Sequence, residues 1–141
     1  AKEYAESWGV FMQLINIIRD VSEDAKRDRI YLPLEDLARW GISEEDVKSG
    51  EALLEHPGWA PFVEEYLERA DGYRQRAFKL LSHLDKSARY SPAAMASFYQ
   101  SIMAKITKKN GDVFSERIQL TKTEKMLLAG YVYLRYRFLG F

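Results

Sequence analysis

The stretch FMQLINIIRDVSEDAKRDRIYLP, residues 11–33, sets the problem. Phe11, Met12, Leu14, Ile15, Ile17 and Ile18 make its first part apolar almost all round, as in a helix buried within a bundle. Yet Gln13, Asn16, Asp20 and Asp24 recur through it at steps of three and four. At roughly 100° per residue, with Gln13 as origin, Asn16, Asp20 and Asp24 stand at about −60°, −20° and +20°. Two amides and two carboxylates therefore line one stripe. In a buried helix such a stripe must face a polar cavity or other polar side chains.

Two carboxylates a turn apart repel each other unless a cation lies between them. Hard oxygen ligands favour Mg²⁺, which keeps several waters and takes substrate phosphates as co-ligands. Arg19 and Arg29 flank the acids, and guanidinium offers paired donors to phosphate oxygens. The pattern reads as a site for magnesium and a diphosphate. The plainer alternative is a solvated helix end whose acids pair with Lys and Arg one turn away. Gln13 and Asn16, which carry the stripe into the apolar part of the helix, weigh against it.

Outward from this stretch, the boundary signals are helical. The first helix is expected over Lys2–Asp24, followed by an extended RDRIYLP, since a residue before proline is biased away from helix. A short helix starts at Pro33 and stops at Gly41. Ser43 is an N-cap with Asp46 near the N3 position. EHPGWAP is a turn. A long amphipathic helix is expected from Pro61 to about Leu84. Another starts with Ser91 as N-cap and Pro92 at N1, and ends at Asn110–Gly111. Thr121–Glu124 has the capping-box form and opens a last helix reaching at least Arg135. No alternation of β-branched residues suggests a sheet. The expected fold class is all-α: a bundle piece of four main helices and a short one.

Composition narrows the function. The 141 residues suit one domain or a substantial part of one. Lys plus Arg equals Asp plus Glu at 21 each, without the basic excess of a nucleic-acid binder. The absence of cysteine removes disulfides, thiolate zinc sites and cysteine nucleophiles, and two histidines are too few for a histidine-rich metal site. No apolar run approaches the ~20 residues of a membrane span, and no signal peptide is visible. A soluble, cytoplasmic protein is expected. The chain opens AKEYAESWGVFMQL, with no initiator Met and no cap before a helical pattern, and so reads as if it starts inside a helix, as a fragment of a longer protein would.

Residues 11–33 resemble the second aspartate-rich region of the squalene and phytoene synthase family, whose pattern is Gln-x-x-Asn-x-x-Arg-Asp-x-x-x-Asp followed by Gly-Arg-x-Tyr-Leu-Pro. This chain carries Gln13, Asn16, Arg19, Asp20 and Asp24, then Arg29, Tyr31, Leu32 and Pro33. LEDLARWGIS and YQSIMAKITKKNGDVFSERIQLTKTEK extend the likeness more loosely over nearly all of the chain. The resemblance implies the C-terminal part of the helical isoprenoid-synthase fold and Mg²⁺-dependent head-to-head condensation of two prenyl diphosphates, farnesyl or geranylgeranyl. By position it implies that Asp20 and Asp24 hold Mg²⁺ bound to diphosphate. Gln13 and Asn16 would line the same cavity, Arg19 and Arg29 would contact the diphosphate or hold the carboxylates, and Tyr31 would lie near the site. NADPH enters only if a squalene-type reductive step follows.

Two departures stand out. Asp28 occupies the position where the family usually has Gly before Arg29. The family's first aspartate-rich motif is missing from these residues, so the expected partner is an upstream part of the same protein that carries it. The rival reading is a catalytically inactive helical relative serving as an assembly or interaction module.

The remaining features are smaller. His83 and His56 read as ordinary exposed or satisfied histidines, and Trp40 and Trp59 as anchors between loop and core. Phe11, Met12 and Ile15, or Tyr99 and Met103, are candidate walls for a dry carbocation pocket, with plain core packing the stronger expectation. The tail YVYLRYRFLGF interleaves aromatics with Arg135 and Arg137. It is expected as a final packed helix, with a peripheral membrane contact as the minority reading.

Overall fold

The computed structural model describes residues 1–138. Its elements are α1 (Lys2–Lys26), α2 (Leu34–Arg39), α3 (Glu44–Lys48), a 3₁₀ turn at Gly50–Glu55, α4 (Trp59–Phe78), 3₁₀ turns at Lys79–His83 and Lys86–Ala88, α5 (Tyr90–Lys108) and α6 (Lys122–Phe138). No strand occurs among the described residues, as the boundary signals required. No described helix is long and apolar enough to cross a membrane.

The long antiparallel contact of α1 with α4 organises the core. Phe11, Ile15, Ile18 and Val21 of α1 meet Phe62, Tyr66 and Ala70 of α4 in one buried cluster. These steps of three and four put each set on one helical face. Each large apolar side chain so enclosed contributes about 1.5–3 kcal/mol of transfer free energy. A second cluster joins Trp8 and Ala77 to Ala93, Ala94 and Ala96 of α5 and Val132 of α6. The small side chains let α5 approach closely.

Trp59 is the anchor its sequence position suggested. It is almost fully buried, stacks on Phe62 at 5.6 Å, and donates from Nε1 to the Gly111 carbonyl at 3.0 Å. Gly111 has φ +80°, and a Cβ there would come within 2.9 Å of Val63. The turn that ends α5 therefore needs glycine on both backbone and packing grounds. Trp40, half-buried, donates to Glu65 at 3.1 Å. Arg69 of α4 reaches Asp36 at 2.7 Å and Arg39 reaches Glu65 of α4 at 2.5 Å, so that α2 is stitched to α4 by charge.

Both reciprocal caps form: Ser43 and Asp46 at α3, and Thr121 and Glu124 at α6. Four expected boundaries move. α1 continues to Lys26. The long helix begins at Trp59 and leaves α-geometry after Phe78, tightening into the 3₁₀ turn at Lys79–His83 rather than running to Leu84. Ser91 is not an N-cap. Arg89 already has helical φ and ψ, α5 begins at Tyr90, and Ser91 lies in its first turn. The preceding 3₁₀ turn feeds α5 directly, so no extended cap residue is needed. The tail is helical to Phe138; residues 139–141 of the same expectation lie outside the described residues.

Candidate functional site

The buried residues of α1 point towards α4, which leaves the Gln13–Asn16–Asp20–Asp24 stripe on roughly the opposite side of the helix at 100° per residue. Gln13 is exposed there, and Asn16, Asp20 and Asp24 are half-buried. Val10, Leu14 and Ile17 flank the stripe on one side without being fully covered.

Asp20 is the most heavily engaged acid. Arg19 grips it in a two-pronged clasp, Nε to Oδ1 at 2.8 Å and Nη2 to Oδ2 at 2.6 Å. Donating to Asp20 raises the Arg19 pKa further, against the effect of burial. Arg117, from the segment between α5 and α6, stands 3.8 Å from both Asp20 Oδ1 and Glu23 Oε1. Sequence reasoning missed Arg117. Its position is prepared locally: Asp112 accepts from the backbone N–H groups of Phe114 and Ser115, Lys109 pairs with Glu116, and Phe114, Ile118 and Leu120 are buried. With its neighbours sunk into the core, Arg117 is left at the surface beside α1.

Asp24 differs from Asp20. Its carboxylate makes no hydrogen bond or ion pair among the described residues. Its main-chain carbonyl, however, accepts from Arg27 and Arg29 N–H groups, both at 2.9 Å. That wrap holds the backbone of Arg29 against the end of α1. The chain makes the turn through Asp28 at φ +57°, the left-handed conformation that glycine takes freely and Asp tolerates better than most residues. Lys48 of α3 meets the Asp28 carboxylate at 2.6 Å. The departure from glycine thus keeps the expected backbone shape and adds a tether. Arg29 is exposed and Tyr31 is 55 % exposed, and neither makes a side-chain hydrogen bond among the described residues.

The structure thus brings Arg19, Asp20, Glu23 and Arg117 together, keeps Asp24 and the Arg29 backbone one turn away, and leaves Gln13 and Tyr31 open. Among the described residues no group of three or more His, Asp or Glu is placed to hold a metal ion by itself. Mg²⁺ does not require such a cage, since one or two carboxylates with substrate phosphates and water suffice. The donor set of Asp20 and Asp24 fits that habit.

A cavity of about 770 Å³ lies elsewhere, between α4 and α5, with Leu67, Glu68, Asp71 and Met103 in its lining; none of the candidate residues borders it. Of the proposed pocket walls, Phe11 and Ile15 are core residues, and Tyr99 packs edge-on against Phe11 at 6.3 Å. Met103 alone among them faces that cavity.

The chain as a whole is similar to known proteins. The model of a family described as squalene/phytoene synthase matches residues 1–124. Phytoene synthase 2 of Zea mays, a chloroplastic protein, is 36% identical over 127 residues, covering 90% of this chain and 31% of the relative. The 15-cis-phytoene synthase of Synechocystis is 35% identical over 134 residues, 95% of this chain and 39% of the relative. A crystal structure of a dehydrosqualene synthase with bound ligand superposes with a TM-score of 0.81 at 25% identity, over 95% of this chain and 46% of that one. The chain therefore spans about a third of the length of the curated relatives it matches and just under half of that crystallised chain.

Proposed function

Because the chain belongs to the squalene/phytoene synthase family, we propose that it supplies one half of an active site that condenses two prenyl diphosphates head to head with loss of diphosphate, of the phytoene or dehydrosqualene type. The observation that carries this reading is the meeting of Arg19 and Arg117 at Asp20, with the uncommitted carboxylate of Asp24 one turn on. Arginines and acids alternate along this end of α1, the residue types that a metal-bound diphosphate takes as partners. A structural ion pair would require only one member of each.

On this reading Asp20 and Asp24 hold Mg²⁺, whose contribution is to neutralise the leaving diphosphate as its charge develops. Arg19, Arg29 and Arg117 take diphosphate oxygens, each guanidinium offering a fork of N–H donors. Such donors are worth most where they are fixed before the bond breaks. The clasp on Asp20 fixes Arg19, and the Asp112 turn with the buried Phe114 and Ile118 brings Arg117 beside α1. Gln13 and Asn16 orient further along the stripe, and Tyr31 closes the side beyond Arg29. The complementary aspartate-rich motif belongs to another part of the protein. NADPH has no role unless reduction follows condensation.

The test uses the full-length protein with farnesyl or geranylgeranyl diphosphate and Mg²⁺, and follows hydrocarbon and cyclopropyl diphosphate products. Asp20→Ala should lower turnover about a hundredfold or more. Undiminished turnover in that variant would remove the assignment of Asp20. A parent protein without products would support the inactive helical relative instead.

A further inference from the structure

The guanidinium of Arg117 comes no nearer than 3.8 Å to Asp20 or Glu23. Its place beside α1 therefore depends on the backbone that carries it. That backbone belongs to residues 109–121, between α5 and α6. Among the described residues no backbone–backbone hydrogen bond holds residues 114–120. Phe114, Ile118 and Leu120 fasten the inner side of this stretch by burial, and side chains from the end of α5 fasten its outer side.

Lys105 and Lys109 stand four residues apart and so share one helical face. Lys109 pairs with Glu116, the residue before Arg117. Lys105 donates to the Gln119 carbonyl, two residues after Arg117, at 3.0 Å, and meets Glu124 Oε1 at 2.7 Å. The other carboxylate oxygen of Glu124 accepts from the Thr121 N–H at 2.7 Å, in the cap that opens α6. One ammonium thus joins α5, the segment carrying Arg117 and the start of α6. Its base is firm: Ile102 and Ile106 are buried beside it, and the Gly111 N–H closes on the Ile106 carbonyl at 3.0 Å. An ion pair as exposed as Lys105–Glu124 adds little to global stability. The contact to main chain gives Lys105 a local consequence instead, since it sets where the backbone on either side of Arg117 lies.

We propose that Lys105 is a positioning residue for Arg117, holding residues 116–121 so that the guanidinium stands beside Asp20. The proposal rests on the reading of Arg117 as a diphosphate ligand. A displacement of about 1 Å at such a group can cost up to about a hundredfold in rate.

The experiment is a double-mutant cycle in the full-length protein, read as diphosphate release from geranylgeranyl diphosphate with Mg²⁺. Lys105→Met should lower kcat about ten-fold, with KM little changed. Its melting temperature should fall by no more than about 2–4 °C. Lys105→Arg should recover most of the loss, because it can donate to both acceptors. In the Arg117→Gln protein, Lys105→Met should cost no more than about a further two-fold. Full activity in Lys105→Met, or an equal ten-fold loss with and without Arg117, would overturn the proposal and leave the condensation reading intact. Tryptic cleavage after Arg117, followed by mass spectrometry, reads the same hold without turnover. It should quicken several-fold in Lys105→Met, and an unchanged rate would overturn the proposal. A parent protein that yields no product while this cleavage quickens would sink the condensation reading and leave the hold on the segment standing.

Discussion

Arg117→Gln separates a catalytic arginine from a structural one. Arg117 is 54 % exposed, and its contacts to Asp20 and Glu23 are both at 3.8 Å, longer than a hydrogen bond. An ion pair of that exposure and length contributes about 0–1 kcal/mol to stability. The variant should therefore lower the melting temperature by no more than about 2–4 °C. If Arg117 instead takes charge from the departing diphosphate, its loss removes a donor from the transition state. That costs about 3 kcal/mol, or 10²–10³-fold in kcat. The assay is steady-state release of diphosphate by the full-length protein, paired with a thermal melt of the same preparation. Arg117→Lys should recover part of the loss, because it restores the charge but not the fork. Two results refute the reasoning: kcat/KM within a few-fold of the parent, or activity and melting temperature that collapse together.

Two further outcomes follow from the packing. Gly111→Ala would place a methyl 2.9 Å from Val63 Cγ2 and 3.2 Å from Trp59 Nε1 at a φ of +80°; denaturant melts should show a loss of about 1–3 kcal/mol. The hydrogen bond from Arg69, with help from Arg39, holds the Asp36 carboxyl below its ordinary pKa, against a burial that pushes the other way. A carboxyl depressed by folding stabilises above its unfolded pKa of about 4, and that contribution is lost as pH falls through the folded value. Asp36→Asn should therefore melt below the parent at neutral pH, with the gap closing under acid.

What was legible in the sequence was local. Ser43 with Asp46, and Thr121 with Glu124, name their helix starts because both partners of each cap lie within four residues. Ser91–Pro92 carries a similar signature and misleads, because the conformation of Arg89 is set by the 3₁₀ turn before it. The end of α4 was hidden for a related reason. Leu80, Leu81 and Leu84 continue the apolar spacing past Phe78 with no glycine or proline to stop it, and the tightening to 3₁₀ is visible only in the backbone. Arg117 was out of reach because two long helices, α4 and α5, separate it in the chain from its partners Asp20 and Glu23. The available hint was its place between Phe114 and Ile118, in a segment where burial alternates with exposure and no helical period applies.

The stripe itself shows how far a single helix can be read. α1 meets the demands of α4 with Phe11, Ile15, Ile18 and Val21. Nothing in that contact requires the far side to be apolar as well, yet Val10, Leu14 and Ile17 flank the polar residues there. A far side meant for water would be cheaper in Lys, Glu and Gln. One meant for a plain helix–helix contact would not hold two amides and two carboxylates in line, since each would need a buried partner. Apolar flanks beside an ordered polar stripe are what the diphosphate reading proposed above asks of this helix, with the stripe for the charged, oxygen-rich ligand and the flanks for its apolar surroundings. Asp28 points the same way. A left-handed residue tethered to Lys48 holds the backbone where it turns from Asp24 into Arg29 and Tyr31, which fits the proposed role of those two side chains beside the stripe.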